Sequence, residues 1–334
     1  MIDNQKITKA VVVGLGNIAI RHRRNLKFLF PEILIIAVSA SGRLSNQNIE
    51  FADQFFLTLE EAIKEKVDLA IVASPSPYHL SHAKLLLLAG IPTLIEKPVT
   101  SNLQDAQELI KIHNETGTPS AVGYCLRYMS SSNKMKELLD QSILGNIYNA
   151  FVSVGHFLPD WRPSKAYRDT VSAKKSLGGG TLLELSHEID YIQWLLGVME
   201  VKYAELRSSS ELNLEVEDLA DVILVSDSGA VCSLHLDFLQ KKANRVCSII
   251  GEKGKLDWDL LSNTIMLHTG EGSKVLFSET DWDSNQMYLA LLTDFLNLVR
   301  GRKNSSIDIE QATRTIELIE NIKRFAVGGK SNDI

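Results

Sequence analysis

Lysine, histidine and carboxylate side chains that could move protons or hold charge gather at two places in this chain of 334 residues, and a glycine pattern that could hold an anion marks a third. The first is Glu96-Lys97-Pro98, which follows the apolar run Ile91-Pro92-Thr93-Leu94-Ile95. A lysine at the carboxyl end of a strand, held by a proline turn, can present its ammonium at the sheet edge where open α/β folds bind ligands. The same residues also fit a surface lysine before an ordinary turn. The second place runs from Leu177 to Gly197, where Gly178-Gly179-Gly180 precede an apolar stretch carrying Glu184, His187, Glu188 and Asp190. On one helix, at about 100° per residue, Glu184, His187 and Asp190 step down one side with Tyr191 beside them, while Leu182, Leu185, Ile189, Ile192 and Leu196 serve the core. Such a histidine is either an acid/base group at neutral pH or a core histidine held by Glu184 or Asp190. The glycines would let the chain pass close to another surface, a cofactor or a substrate.

The third place is Ala10-Val11-Val12-Val13-Gly14-Leu15-Gly16-Asn17-Ile18-Ala19, read as a buried parallel strand that turns directly into a helix. Gly14 permits the tight turn, Gly16 removes a side chain that would keep a diphosphate from the backbone, and the helix start at Asn17 and Ile18 offers unpaired N–H groups. Ala19 takes the third glycine's place and still allows close helix–strand packing. The pattern fits a dinucleotide pyrophosphate site, and also a glycine-rich turn with no ligand. The basic run Arg21-His22-Arg23-Arg24 that follows reads as a solvated face or a phosphate neighbour.

The elements that would position these groups alternate. Ile33–Val38 is a second strand, and its end, Ser39-Ala40-Ser41-Gly42-Arg43, falls where a dinucleotide unit usually carries Asp or Glu for the ribose 2′-hydroxyl. With Ser39 there and Ser41 and Arg43 nearby, nothing repels a 2′-phosphate, which favours NADP over NAD; a solvated loop serine and arginine are the alternative. Thr58 and Glu61 form a capping box for a short helix. Val67–Ala73 is the next strand, ending in Ser74-Pro75-Ser76-Pro77-Tyr78-His79 at the ligand-binding edge, so that Ser74, Pro75, His79 and Glu96 join the cofactor set. Helix Leu80–Ala89, strand Ile91–Ile95, helix Leu103–Asn114 and strand Thr118–Tyr124 continue right-handed βαβ units.

Beyond Tyr124 the pattern becomes mainly strands: Ile147–Phe157, Val201–Ser209, Val216–Val225, Ala230–Phe238, Arg245–Gly251 and Thr264–His268. The fold class predicted is α/β, an N-terminal Rossmann parallel sheet with a C-terminal α+β domain carrying a large, mainly antiparallel open sheet. The domains are residues 1–123 and 124–334, and the reading leaves open that the closing helices pack back on the first. Ser233, His235 and Asp237 alternate to one face of a strand, lining the substrate side or facing water.

A formal charge of -6 and the lack of a basic stripe with interleaved aromatics argue against nucleic acid as a partner. Cys125, Cys232 and Cys247 have no disulfide or metal-like spacing, and no metal site is expected. Residues Met1–Lys6 contain no signal-peptide core and no apolar run reaches membrane-spanning length, so a soluble, cytoplasmic protein without a membrane partner is expected.

Taken together, Gly14-Leu15-Gly16-Asn17-Ile18-Ala19, Glu96-Lys97-Pro98, Gly123-Tyr124 with Arg127, and His187-Glu188-Ile189-Asp190 on a glycine-led helix resemble the Gfo/Idh/MocA family, whose namesakes are glucose-fructose oxidoreductase and inositol 2-dehydrogenase. The resemblance extends over nearly the whole chain, through Ser74–His79 to closing helices Met287–Arg300 and Ile309–Phe325. It implies NAD- or NADP-dependent oxidation or reduction of a sugar, polyol or sugar nucleotide, in homodimers or homotetramers built through the large sheet. It also implies that Lys97 is the catalytic lysine with Pro98 in cis, and that His187 is the acid/base near the carbinol. Where the family often has Asp four residues before that histidine, this chain has Leu183, with Glu184 one place later. Tyr124, Arg127, Glu184 and Asp190 are candidate substrate contacts.

Hydride leaves a carbinol carbon only as its hydroxyl loses a proton, so the site needs a base near that oxygen and a group to stabilise developing negative charge. Lys97 and His187 are the right types, and either serves as the proximate base. The loop His156-Phe157-Leu158-Pro159-Asp160-Trp161-Arg162-Pro163 adds an aromatic that can stack on a sugar or base and an arginine that can pair with phosphate or carboxylate; it equally fits a lid or subunit contact. With the wording of the His187 helix, this loop resembles a family branch tied to bacterial surface polysaccharides and nonulosonic acids. A non-catalytic, dinucleotide-binding regulator of the same fold is the rival reading, and it has no chemical need for Lys97 or His187.

Overall fold

The computed structural model describes residues 7–44, 48–163 and 165–328; Met1–Lys6, read above for a targeting segment, lie outside them. The chain divides into two compact units, one running to Cys125 and including Met287–Ile316, the other formed by Leu126–Gln286 and the residues from Glu317.

In the first unit the strands are β1 (Lys9–Val13), β2 (Leu34–Val38), β3 (Gln54–Phe56), β4 (Leu69–Val72), β5 (Thr93–Ile95) and β6 (Ser120–Val122). They form one parallel sheet in the order β3-β2-β1-β4-β5-β6. Continuous burial of Val11–Val13, Ile35–Ala37 and Leu69–Val72 is what a parallel sheet covered on both faces requires. The helices are α1 (Asn17–Leu29), α2 (Leu59–Lys64), α3 (His79–Leu88) and α4 (Leu103–Thr116). The Thr58…Glu61 capping box is formed at the start of α2. Strand order reverses between β1 and β4, so the carboxyl ends of these two strands, with their turns, form the edge where such folds bind ligands.

The second unit opens with α5 (Ser130–Asp140) and β7 (Ile147–Gly155), and continues through α6 (Thr181–Glu184) and α7 (Ser186–Leu196) to β8 (Met199–Arg207), β9 (Leu219–Ser226), β10 (Val231–Asp237), β11 (Asn244–Gly251), β12 (Gly254–Asp259), β13 (Thr264–Thr269) and β14 (Gly272–Ser278). Helices α8 (Asn285–Val299) and α9 (Ile309–Gly328) close the described chain. The strands make an eight-stranded sheet, β14-β13-β12-β11-β7-β10-β9-β8, antiparallel except for the β7–β10 pair. Alternation is clean: Cys232, Leu234 and Leu236 are buried while Val231, Ser233 and His235 face outward. Trp258 anchors the buried face, its ring 5.2 Å from that of Tyr191 on α7 and its Nε1–H donating to Ser131 Oγ on α5 at 2.9 Å.

The structure adds three strands and corrects one helix. Strands β3, β12 and β14 were not read from the sequence, the first because it has only three residues and the last because its residues are mostly exposed. The single helix expected through 181–196 is broken at Leu185, whose φ of -99° and ψ of 29° leave the helical region.

Candidate active site

At the carboxyl end of β1 the turn is built around Gly14, with φ of 118°, a conformation open to glycine and strained for any L side chain. A Cβ there would lie 2.4 Å from the Ala73 carbonyl oxygen at the end of β4, so Gly14 also lets the two strand ends approach. Gly16 differs: a Cβ there would meet nothing within 4 Å, and as N-cap of α1 it contributes no side-chain cap. Open space beside an uncapped helix start suits a diphosphate, which the first-turn N–H groups could bind. Asn17 is exposed and Ile18 half-buried beside that space. Ser39 is buried with its N–H donating to Phe56 O at 3.2 Å, whereas Ser41 and Arg43 are exposed. These residues fit the diphosphate and ribose ends of a dinucleotide.

The run after the turn is not a solvated face. His22 is fully buried, with its Nε2 2.6 Å from Glu96 Oε1. Arg23 is 1% exposed and donates from Nη1 to Gly14 O at 3.1 Å and from Nε to Glu50 O at 2.8 Å. Burial lowers the Arg23 pKa to about 10, so the residue remains a cation that clamps the glycine turn. Arg21 sits 4.3 Å above the Tyr288 ring. Sequence reasoning missed these roles, although Ala19, His22, Arg23 and Leu26 stand at i, i+3, i+4 and i+7, the spacing of a buried stripe.

Glu96, Lys97 and Pro98 follow β5, and the Lys97–Pro98 peptide is cis. Glu96 is buried; its Oε1 takes the His22 bond and its Oε2 accepts the Lys97 main-chain N–H at 3.1 Å. Burial pushes the Glu96 carboxyl up, but the His22 bond and charge, with the Lys97 ammonium, outweigh it and hold the group below its ordinary range. Gly123 leaves room for this carboxylate, since a Cβ there would stand 3.2 Å from it. On the other side of the turn, His79 is 1% exposed, with Nδ1 2.9 Å from Pro98 O and Nε2 2.8 Å from Ser74 O. Its ring is a strut between the turns that close β4 and β5. Ser74 Oγ meets His82 Nδ1 at 3.0 Å; burial, then the neighbouring His79, drops the His82 pKa to about 4, so the ring is neutral.

In the second unit His187 is 8% exposed, in the first turn of α7. Asp190, one turn on, has both carboxylate oxygens on Arg127, at 2.8 and 2.7 Å, and is 1% exposed; the Arg127 guanidinium also lies 5.4 Å from the Trp194 ring. Glu188 makes a second bidentate pair with Arg245, at 2.8 and 3.0 Å. Because the helix breaks at Leu185, Glu184 leaves the line of His187 and Asp190, and its Oε2 accepts from Ser172 Oγ at 3.0 Å. Tyr124 is fully buried in the first unit. Trp161 and Arg162 line a small cavity with Leu158, Tyr167, Thr170 and Ser172, and the Trp161 Nε1–H donates to His156 O at 3.0 Å.

The glycine triplet does not serve a ligand by its close approaches. A Cβ on Gly179 would lie 2.6 Å from the Ser172 and Val171 carbonyl oxygens, and one on Gly180 would lie 2.4 Å from Glu217 Oε1. That carboxylate accepts the Leu182 N–H at 3.2 Å and so caps the start of α6. Burial raises the Glu217 pKa against that bond.

Among the described residues, no cluster of three His, Cys, Asp or Glu side chains could hold a metal, and no helix is long and apolar enough to cross a membrane. A parallel sheet with an open glycine turn at its first strand, a braced lysine turn at its fifth, and a second unit built on a large mixed sheet define a dinucleotide-binding oxidoreductase. The description "Oxidoreductase family, NAD-binding Rossmann fold" matches residues 8–124 and "Oxidoreductase family, C-terminal alpha/beta domain" matches residues 136–331; the chain belongs to the Gfo/Idh/MocA oxidoreductase family.

Among its relatives, 1,5-anhydro-D-fructose reductase of Ensifer adhaerens is 22% identical over 289 residues, 83% of each chain. Inositol 2-dehydrogenase of Rubrobacter xylanophilus is 23% identical over 275 residues, 79% of this chain and 74% of that one. The WlbA dehydrogenase from Bordetella pertussis, solved in complex with NADH and UDP-GlcNAcA, shares the fold with a TM-score of 0.79 over 97% of this chain and 98% of that one, at 22% identity.

Proposed function

We infer that this enzyme moves a hydride between a nicotinamide dinucleotide and the carbinol or ketone of a sugar, polyol or sugar nucleotide, with Lys97 and His187 handling proton and charge. The observation that carries the reading is the Lys97 turn, fixed through Glu96 on one side and through His79 on Pro98 on the other. Such bracing suits a group that must meet one substrate oxygen. Relatives that bear on the substrate are a 1,5-anhydro-D-fructose reductase, an inositol 2-dehydrogenase and a dehydrogenase solved with UDP-GlcNAcA.

Bound nicotinamide supplies the hydride acceptor or donor. His187 exchanges a proton with the substrate oxygen, and the Lys97 ammonium neutralises the charge that develops there. Asp190 holds Arg127 for the substrate, and Trp161 and Arg162 supply a stacking face and a cation beside the cavity they line. Gly14, Gly16, Asn17 and Ile18 seat the diphosphate, with Ser74 and Pro75 at the neighbouring strand end. Ser39, Ser41 and Arg43 favour NADP, because none of the three is a carboxylate that would oppose a 2′-phosphate. Exposed Phe151 and Tyr203 on the outward face of the large sheet support a homodimer or homotetramer joined there.

The test is reduced-nicotinamide absorbance with NADPH or NADH and a panel of keto- and hydroxy-sugars, polyols and their UDP and CMP conjugates. Turnover of one class, lost in Lys97→Ala and His187→Ala while the dinucleotide still binds, is the expected result. Full activity in either variant would overturn the assignment.

A further inference from the structure

We propose that His22 is the positioning residue for Lys97, acting through the buried carboxylate of Glu96. Helix α1 begins at the glycine turn and carries His22 into the core, where its Nε2 lies 2.6 Å from Glu96 Oε1. Since the carboxylate can only accept, Nε2 bears the proton. The ring's outer edge packs against Tyr288, with centroids 6.3 Å apart and planes at 80°.

With one oxygen on His22, Glu96 turns the other onto the Lys97 N–H, and its charge interacts with the Lys97 ammonium. A carboxylate at this depth is stable only while partnered, so the His22 bond keeps it ionised and aimed. Gly123 keeps the space that the carboxylate occupies. Arg23, one residue on, donates to Gly14 O. One helix therefore fixes both the dinucleotide turn and the lysine turn, and His22 is its contact with the second.

This deepens the reading of Lys97 given above, yet its test needs no substrate. The purified protein is acetylated with limiting acetic anhydride near neutral pH, and modification of Lys97 relative to exposed Lys111 is quantified by mass spectrometry. Without the His22 bond the buried carboxylate takes up a proton, and Glu96→Gln removes its charge outright; losing an opposite charge beside an amine raises the amine's uncharged, reactive fraction, so His22→Leu and Glu96→Gln should each raise the Lys97/Lys111 ratio by about threefold or more. His22→Gln, which keeps a donor near the Nε2 position, should return the ratio to within about 1.5-fold of the parent. A packing role alone would lower thermal stability in His22→Leu without moving the ratio, and would give no rescue by glutamine. An unchanged ratio in folded His22→Leu, or a His22→Gln ratio equal to that of His22→Leu, overturns the proposal. If circular dichroism shows His22→Leu unfolded, an unchanged ratio in Glu96→Gln overturns it instead. Failure to find any substrate would leave these results standing.

Discussion

The Arg127–Asp190 pair allows the energetics of the second unit to be worked in advance. Its two charge-assisted bonds are 2.8 and 2.7 Å long, and the side chains are 14% and 2% exposed, so water screens them little. Asp190→Ala leaves the guanidinium without its carboxylate, and breaking one side of such a pair costs about 3–5 kcal/mol. The Trp194 ring, 5.4 Å from the guanidinium, already contributes in the parent and offsets none of this, so the loss is at least about 3 kcal/mol. For a folding unit of this size each kcal/mol moves Tm by about 2–4 °C, so the transition of the second unit should fall by about 6–12 °C in scanning calorimetry. Arg127→Met should cost a similar amount by stranding the carboxylate. The double variant Arg127→Met/Asp190→Leu removes both desolvation penalties and should be more stable than either single variant. Additive losses in the double variant, or a shift below about 1 °C for Asp190→Ala, would refute the brace. In that case Asp190 would serve substrate directly, as its position in the sequence first indicated.

Three shorter predictions accompany it. Gly14→Ala puts a Cβ 2.4 Å from Ala73 O at a φ of 118°, and should abolish nicotinamide dinucleotide binding in a fluorescence titration; retained affinity would mean that the turn is not the diphosphate site. Ser39→Asp should weaken NADPH binding by about tenfold or more while sparing NADH, since it places a charge against the 2′-phosphate; equal losses for both cofactors would refute the ribose assignment. His235, bonded to Asp237 and Asp221 and only partly opposed by burial, has its pKa raised to about 9. A raised folded-state pKa gives stability that is full below the unfolded value of about 6.5 and is lost as pH rises through about 9, so urea midpoints should fall across that interval in the parent and less in His235→Gln.

Both sheets were legible because burial leaves a periodic record. Val11–Val13 and Ile35–Ala37 are continuous apolar runs, as strands covered on both faces must be, and Val231–Leu236 alternate as a half-open sheet requires. What the sequence hid was the partner of each polar side chain. The run Arg21–Arg24 has the composition of a solvated face, yet two of its members are buried because Glu96, Gly14 O and Glu50 O wait for them. Those partners come from as far as 74 residues along the chain, and no local pattern carries them. The capping of α6 was hidden for the same reason: Glu217 reaches its start from 35 residues downstream.

Glycines make the point most sharply, since the residue type records only that a side chain is absent, and the cause lies in whatever occupies the space. At Gly16 that space is empty, as the proposed diphosphate seat requires. At Gly179 and Gly180 it is filled by the chain's own carbonyls and by Glu217, so the same sequence signal marks internal packing that sets the entry into α6 and, through it, the start of α7 with His187. Enlarging Gly16 should therefore hurt dinucleotide affinity without unfolding the protein, whereas enlarging Gly180 should lower the melting temperature before any ligand is added. If Gly180→Ala left stability intact and cost only affinity, the triplet would belong to a ligand after all, and the path by which this unit places His187 would have to be drawn again.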